Sequence, residues 1–153
     1  MNYLEKHPID EKWFTEAITE KTIEFAKGFA EYLVEEKRKP NSNSYVILPL
    51  TTSQLRKFFG AVKSIQMDIA LNGYSESDFV MLKPKLAYAV GRVCKQYSRC
   101  EERRIEAFAE VISKAIGIVN SSRDKNLAFK NFINFFEAIV AYHKHYGKDN
   151  LNK

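Results

Sequence analysis

Long apolar runs are missing from this chain of 153 residues, and so are most of the residues that break regular structure. No stretch of about 18 apolar residues occurs, which leaves no candidate for a membrane-spanning helix. The most apolar stretch, Phe132 to Tyr142, is interrupted by Asn134 and Glu137. Six Gly and four Pro are too few for many short strands and turns, so long helices are expected. The two cysteines, Cys94 and Cys100, match no zinc spacing and make no disulfide framework. They read as small hydrophobes, and a reducing cytoplasm is the expected compartment. The first ten residues contain Glu5, Lys6 and Asp10 without an apolar run, so no signal peptide is expected. A glycine-rich phosphate loop, a nucleophile elbow and a paired-carboxylate site are absent as well. The sequence therefore reads as a non-enzyme with no cofactor and no metal. His143 and His145 are two apart on a helix and point about 200° apart, so they cannot chelate one ion from one face. His143 lies on an apolar stripe and reads as a satisfied core or rim histidine.

What is present is segregated charge. The chain carries a net +5. Residues 1–51 hold 7 Lys/Arg against 9 Asp/Glu, residues 52–100 hold 8 against 3, and residues 101–153 hold 9 against 7. The middle third thus supplies the basic excess of the first hundred residues. Concentrated positive charge attracts polyanions and acidic protein faces alike.

Hydrophobic periodicity predicts an all-α protein, a compact bundle of about five helices in a single domain over 1–153, with frayed tails at 1–9 and 149–153. The first helix is expected from about Glu11 to Lys37, with Asp10 as its N-cap, Lys37, Arg38 and Lys39 at its C-terminal dipole and Pro40 as its stop. Glu16, Glu20, Glu24 and Glu31 spread over its surface. Tyr45 to Leu50 is a short apolar run without an obvious strand partner and reads as extended packing. The second helix spans about Ser53 to Leu71, with Leu55, Phe58, Val62, Ile65 and Ile69 on one stripe. A short turn of helix is expected between Glu76 and Leu82. The third helix runs from about Pro84 to Tyr97 or Arg99, the fourth from Glu101 to Val119, and the fifth from Lys125 to Tyr146. The fifth is apolar around much of its circumference and belongs at the centre.

The third helix carries the main functional signal. At about 100° per residue, Lys85, Tyr88, Arg92, Lys95 and Arg99 fall within one arc, opposite Leu86, Val90, Val93 and Tyr97. No Asp or Glu occurs between Asp78 and Glu101. Repeated cations without compensating anions suit repeated phosphates, which Lys meets as a point donor and Arg with two parallel bonds. Tyr88 has two readings, a stacking surface for a base or sugar and a cover for the core rim. On the second helix Arg56, Gly60 and Lys63 share a stripe, with Lys57 beside them. Gly60 either lets a backbone approach or makes room for a neighbouring helix.

Three segments resemble the small helical subunit of type III-A CRISPR (Csm) effector complexes. They are Leu50-Thr51-Thr52-Ser53-Gln54-Leu55-Arg56-Lys57-Phe58-Phe59, then Leu82-Lys83-Pro84-Lys85-Leu86-Ala87-Tyr88-Ala89-Val90-Gly91-Arg92, then Phe136 through Tyr146-Gly147-Lys148. Their order and spacing fit that family from about Phe14 to Lys148, although one glycine follows Tyr146 where the family motif has a pair. The resemblance implies a bundle of about five helices without catalytic residues. It implies assembly with the other effector subunits and with copies of itself, along the guide RNA and the captured target RNA. It also implies that Arg56, Lys57, Lys83, Lys85 and Arg92 occupy cationic motif positions. Lys63, Tyr88 and Lys95 join the expected RNA-binding set from the helical stripes alone.

The leading expectation is sequence-independent binding of an RNA backbone in antiviral defence, because a subunit that serves any guide reads charge and shape. Two other readings compete with it. One is an assembly protein whose basic face docks on acidic partner subunits, including the acidic first helix of a sister copy. The other is a DNA-binding helical module using Ser53 to Leu71 as its recognition helix, which the long Asn72 to Leu82 gap fits poorly. A homodimer in isolation is also expected, with helix exchange through that gap as one route.

Overall fold

The computed structural model describes residues 3–42 and 44–147; Lys148 and the tail behind it lie outside the described residues. Helices α1 (Tyr3–Lys6), α2 (Lys12–Thr15) and α3 (Glu20–Leu33) come first. Strands β1 (Lys37–Arg38) and β2 (Tyr45–Leu48) precede α4 (Thr52–Asn72), α5 (Glu76–Val80) and α6 (Leu82–Gln96). Strand β3 (Glu102–Arg103), α7 (Arg104–Asn120) and α8 (Lys125–Tyr146) close the order. The chain is mostly helical, and the five long helices among the described residues, α3, α4, α6, α7 and α8, form the expected bundle.

Helix α8 is the centre of that bundle, packing against α2, α3, α4 and α7. Phe129, Phe132 and Phe136 recur every three or four residues and share one face, while Phe135 turns to Phe14 and Phe25 of α2 and α3. Phe132 and Phe136 lie parallel at 6.1 Å. Phe79 of α5 meets Phe132 edge-on at 5.0 Å, and Phe58 of α4 meets Phe136 edge-on at 5.8 Å. Edge-to-face rings satisfy the aromatic quadrupole as well as burying area.

The structure corrects several sequence expectations. The first helix is not continuous from Glu11 to Lys37. It breaks after Thr15, and α3 restarts behind a Thr19 cap whose hydroxyl accepts from Thr22 N–H. The break is stable because Asn131, buried on α8, donates its amide to the Phe14 carbonyl at 2.8 Å and reaches the Glu16 carbonyl at 3.4 Å. Asp10 does accept from Lys12 N–H at 2.9 Å, but it stands one residue before Glu11, the N-cap of the short α2, and so is not the cap of a long first helix. Residues 3–6, expected to fray, form α1, whose Tyr3 ring packs on Phe29 and Tyr32 at 4.9 and 4.6 Å.

Helix α3 ends at Leu33, and Lys37 and Arg38 enter a sheet instead of a helix terminus. Tyr45–Leu48 does have partners: antiparallel β1 on one side and parallel β3 on the other, in the order β1-β2-β3. The third helix closes at Gln96, leaving Arg99 in the loop before β3.

Two polar anchors tie these elements together. The Leu50 N–H donates to the Leu33 carbonyl at 2.9 Å, which answers one of the open carbonyls at the end of α3. The Leu50 carbonyl accepts from Nε2 of the buried His143 at 2.7 Å. Arg104, only 4% exposed, forms the second anchor. Its guanidinium donates to the Tyr32 carbonyl and hydroxyl, both at 3.0 Å, and to Glu35 at 3.2 Å, and it lies 3.7 Å from the centroid of the Tyr32 ring.

Arg104→Met leaves the Tyr32 carbonyl without its donor, so urea denaturation should show a loss of about 1–3 kcal/mol. Burial pushes the His143 imidazole below its ordinary value of 6.5, and the Leu50 bond opposes this only in part. The unfolded chain therefore takes up a proton near pH 6.5 before the folded chain does. Stability should be full above pH 6.5 and should fall as the pH drops from there toward the folded-state value. Thermal melts across that range should lose this component of the pH slope in His143→Gln.

Candidate nucleic-acid interface

Helix α4 begins at a reciprocal cap. The Thr51 hydroxyl accepts from Gln54 N–H at 3.1 Å, and Gln54 Oε1 accepts from Thr51 N–H at 2.9 Å. Leu55, Phe58, Val62 and Ile65 then face the core, which turns Lys57 toward the side of the helix. Helix α6 buries Leu82, Leu86 and Val93, and this rotates Lys85, Tyr88 and Arg92 outward. The two helices leave a groove of about 360 Å³ between them. Gln54, Lys57, Phe58 and Ala61 form the α4 wall, and Lys85, Tyr88, Ala89, Arg92, Val93 and Gln96 form the α6 wall. Ile105 of α7 lies at its base.

The expected site residues divide into three groups. Lys57, Lys85, Tyr88 and Arg92 line the groove together. Arg56 and Lys95 are exposed on the same two helices but outside the groove lining. Among the described residues, none of Arg56, Lys57, Lys85, Arg92 and Lys95 has an ion-pair partner.

Lys63 and Lys83 are directed elsewhere. Lys63 pairs with Glu137 of α8 at 2.7 Å, donates to Gln66 at 3.2 Å and lies 5.2 Å from the centroid of the Phe59 ring. Lys83 is half-buried and leans toward α7, where a Cβ on Gly117 would stand 3.9 Å from its Nζ. Glu137 lies 74 residues beyond Lys63, so the stripe on α4 gave no sign of this pairing.

Tyr88 is 70% exposed, which removes the core-rim reading of that ring. The Arg92 guanidinium carbon stands 6.0 Å from its centroid. Among the described residues nothing lies within 4 Å of a Cβ built on Gly60, so no neighbouring described helix requires that glycine. Gly91, exposed on α6, is equally open. A mid-helix glycine costs about 1 kcal/mol relative to alanine, and packing inside this chain does not offset it at either position.

Sequence reasoning missed the groove floor. Phe58 and Val93 are recognisable as core, but Ala61 and Ala89 sit where the apolar and cationic arcs meet, and their small size opens the space between the walls. Gln54 and Gln96 at the groove were overlooked too; their spacings of three from Lys57 and four from Arg92 were the available signal.

A second cleft is acidic. Glu24, Glu31 and Glu35 line a cleft on α3 with Tyr3, Phe25 and Tyr32. Burial, then the neighbouring Tyr32, Glu31 and Glu35, push the Tyr3 hydroxyl up to about 12. Among the described residues no cluster of three His, Cys, Asp or Glu is placed to hold a metal, and no helix is long and apolar enough to cross a membrane. Cys100 is buried and its thiol donates to the Glu102 carbonyl at 2.9 Å, while Cys94 is half-buried.

Comparison with curated proteins and with solved structures gives no match. The family described as Csm2 Type III-A matches residues 19–149. That span includes both walls of the groove, the acidic α3 and the whole of α8. The chain belongs to the Csm2 Type III-A family and is a small subunit of a type III-A CRISPR effector complex.

Proposed function

We propose that this subunit is non-catalytic and holds the backbone of guide or target RNA along the α4–α6 groove, without reading its sequence. The observation that carries the proposal is the meeting of Lys57, Lys85 and Arg92 at one groove, with no carboxylate among its lining residues. Cations on both walls suit a chain of phosphates, and the charge is free to act because no ion pair among the described residues consumes it. Arg56 and Lys95 add exposed cations to the same two helices. Lys63 and Lys83, occupied by Glu137 and by the α7 surface, are left out of the binding set. The proposed working compartment is the cytoplasm, and the proposed partners are the two RNAs, the other effector subunits and further copies of this chain.

The acidic cleft on α3 favours a second reading, in which the groove docks on the α3 face of a neighbouring copy. The two readings differ in salt-dependent binding to RNA alone.

Fluorescence anisotropy with labelled single-stranded RNA tests the proposal. Arg92→Glu should weaken binding to all sequences about equally and should lower the log–log salt slope by about 0.7 per lost phosphate contact. Unchanged affinity with an unchanged slope rejects the groove as an RNA site. Lys63→Gln should leave RNA affinity within about two-fold of wild type, since its ammonium is already neutralised by Glu137. Duplex DNA should compete poorly.

A further inference from the structure

We propose that the α4–α6 groove takes in one unstacked nucleobase of single-stranded RNA, in addition to the phosphates along its rims. The inference rests on the RNA reading above and goes beyond it, because a track for phosphates alone needs no apolar floor.

The apolar floor is lined by Phe58 and Ala61 of α4, Ala89 and Val93 of α6 and Ile105 of α7. One alanine on each helix, Ala61 and Ala89, lines the groove, which larger side chains there would fill. Its volume of about 360 Å³ lies at the small end of the range for ligand pockets, roughly 300–1,000 Å³. The rims are cationic on both sides, with Lys57 on α4 and Lys85 and Arg92 on α6. A nucleotide whose base enters the floor carries a phosphate on each side, and each phosphate then has a donor within the same groove.

Tyr88 stands at the mouth, exposed over most of its surface. Its ring offers a face on which a base or the adjoining sugar stacks, and stacking of this kind tolerates any base. The groove also holds two primary amides. Gln54 spends its oxygen on Thr51 N–H and keeps its amide protons as donors. Gln96 has no side-chain hydrogen bond among the described residues, so it offers either a donor or an acceptor to a base edge. These groups add affinity without fixing sequence. A base held in a duplex cannot enter, so the groove selects an unpaired nucleotide over a continuous helix.

The test compares a labelled oligouridine with an abasic ribose-phosphate oligomer of equal length, at low salt, on the isolated chain. The intact strand should bind about ten-fold or more tightly than the abasic one. Ala89→Phe, which fills the floor, should erase that advantage and leave binding of the abasic oligomer unchanged. Tyr88→Ala, at an exposed position that folding does not depend on, should reduce the advantage as well. It keeps the test decisive if the filled groove prevents folding.

Equal binding of intact and abasic strands overturns base insertion while the backbone reading stands. Binding of neither strand overturns both. A filled-groove variant that binds both strands as wild type does, but no longer joins the effector complex, overturns the proposal in favour of a protein segment in the groove.

Discussion

Leu50 is held through both of its backbone groups: its N–H closes α3 through the Leu33 carbonyl, and its carbonyl accepts from His143 at the far end of α8. The next residue, Thr51, is the cap of α4. The start of α4 is therefore tied by two hydrogen bonds to residues 17 and 93 positions away in sequence, and its buried Leu55, Phe58, Val62 and Ile65 pack the rest of the helix on the core. Each bond contributes only about 1 kcal/mol net, but leaving either buried partner unmade costs more. The α4 wall of the groove, and Lys57 with it, inherits its place from this anchor. The α6 wall depends on α7, against which α6 packs, and α7 is fastened to α3 by the buried Arg104. Both walls thus trace back to the C-terminal end of α3.

Charge is sorted by a similar logic. Cations near a carboxylate of the same fold are neutralised, as Lys63 is by Glu137 and Arg104 is by Glu35. Cations on the α4–α6 groove are left unneutralised, because the sequence between Asp78 and Glu101 supplies no anion and α4 places its single carboxylate, Asp68, beyond the groove lining. The acidic residues collect instead around Tyr3 and Tyr32. The result is a positive groove and a negative cleft on different elements.

The long helices were legible in the sequence because their apolar stripes persist over four turns or more, and α8 in particular reveals its central place by having too many phenylalanines for one face. The short elements were not. The break between α2 and α3 depends on Asn131, and the strand status of Tyr45–Leu48 depends on Glu102 and Arg103, which no local pattern announces. Within the site, the cationic arc of α6 was readable from angle alone, and so were Lys85, Tyr88 and Arg92. Lys57 became a groove residue only through its apposition to α6, and Lys63 was removed by a partner on another helix. Angular position on one helix predicts exposure; it does not predict which exposed cations find an anion across the fold.

The central claim is that RNA lies between α4 and α6 in the assembled effector complex. Ultraviolet crosslinking of the complete RNA-loaded complex, followed by mass spectrometry of nucleotide-bearing peptides, tests it most directly. The account predicts adducts concentrated on α6 around Tyr88 and on α4 around Lys57. Adducts confined to the α3 face, or absent from this subunit while neighbouring subunits carry them, would contradict it.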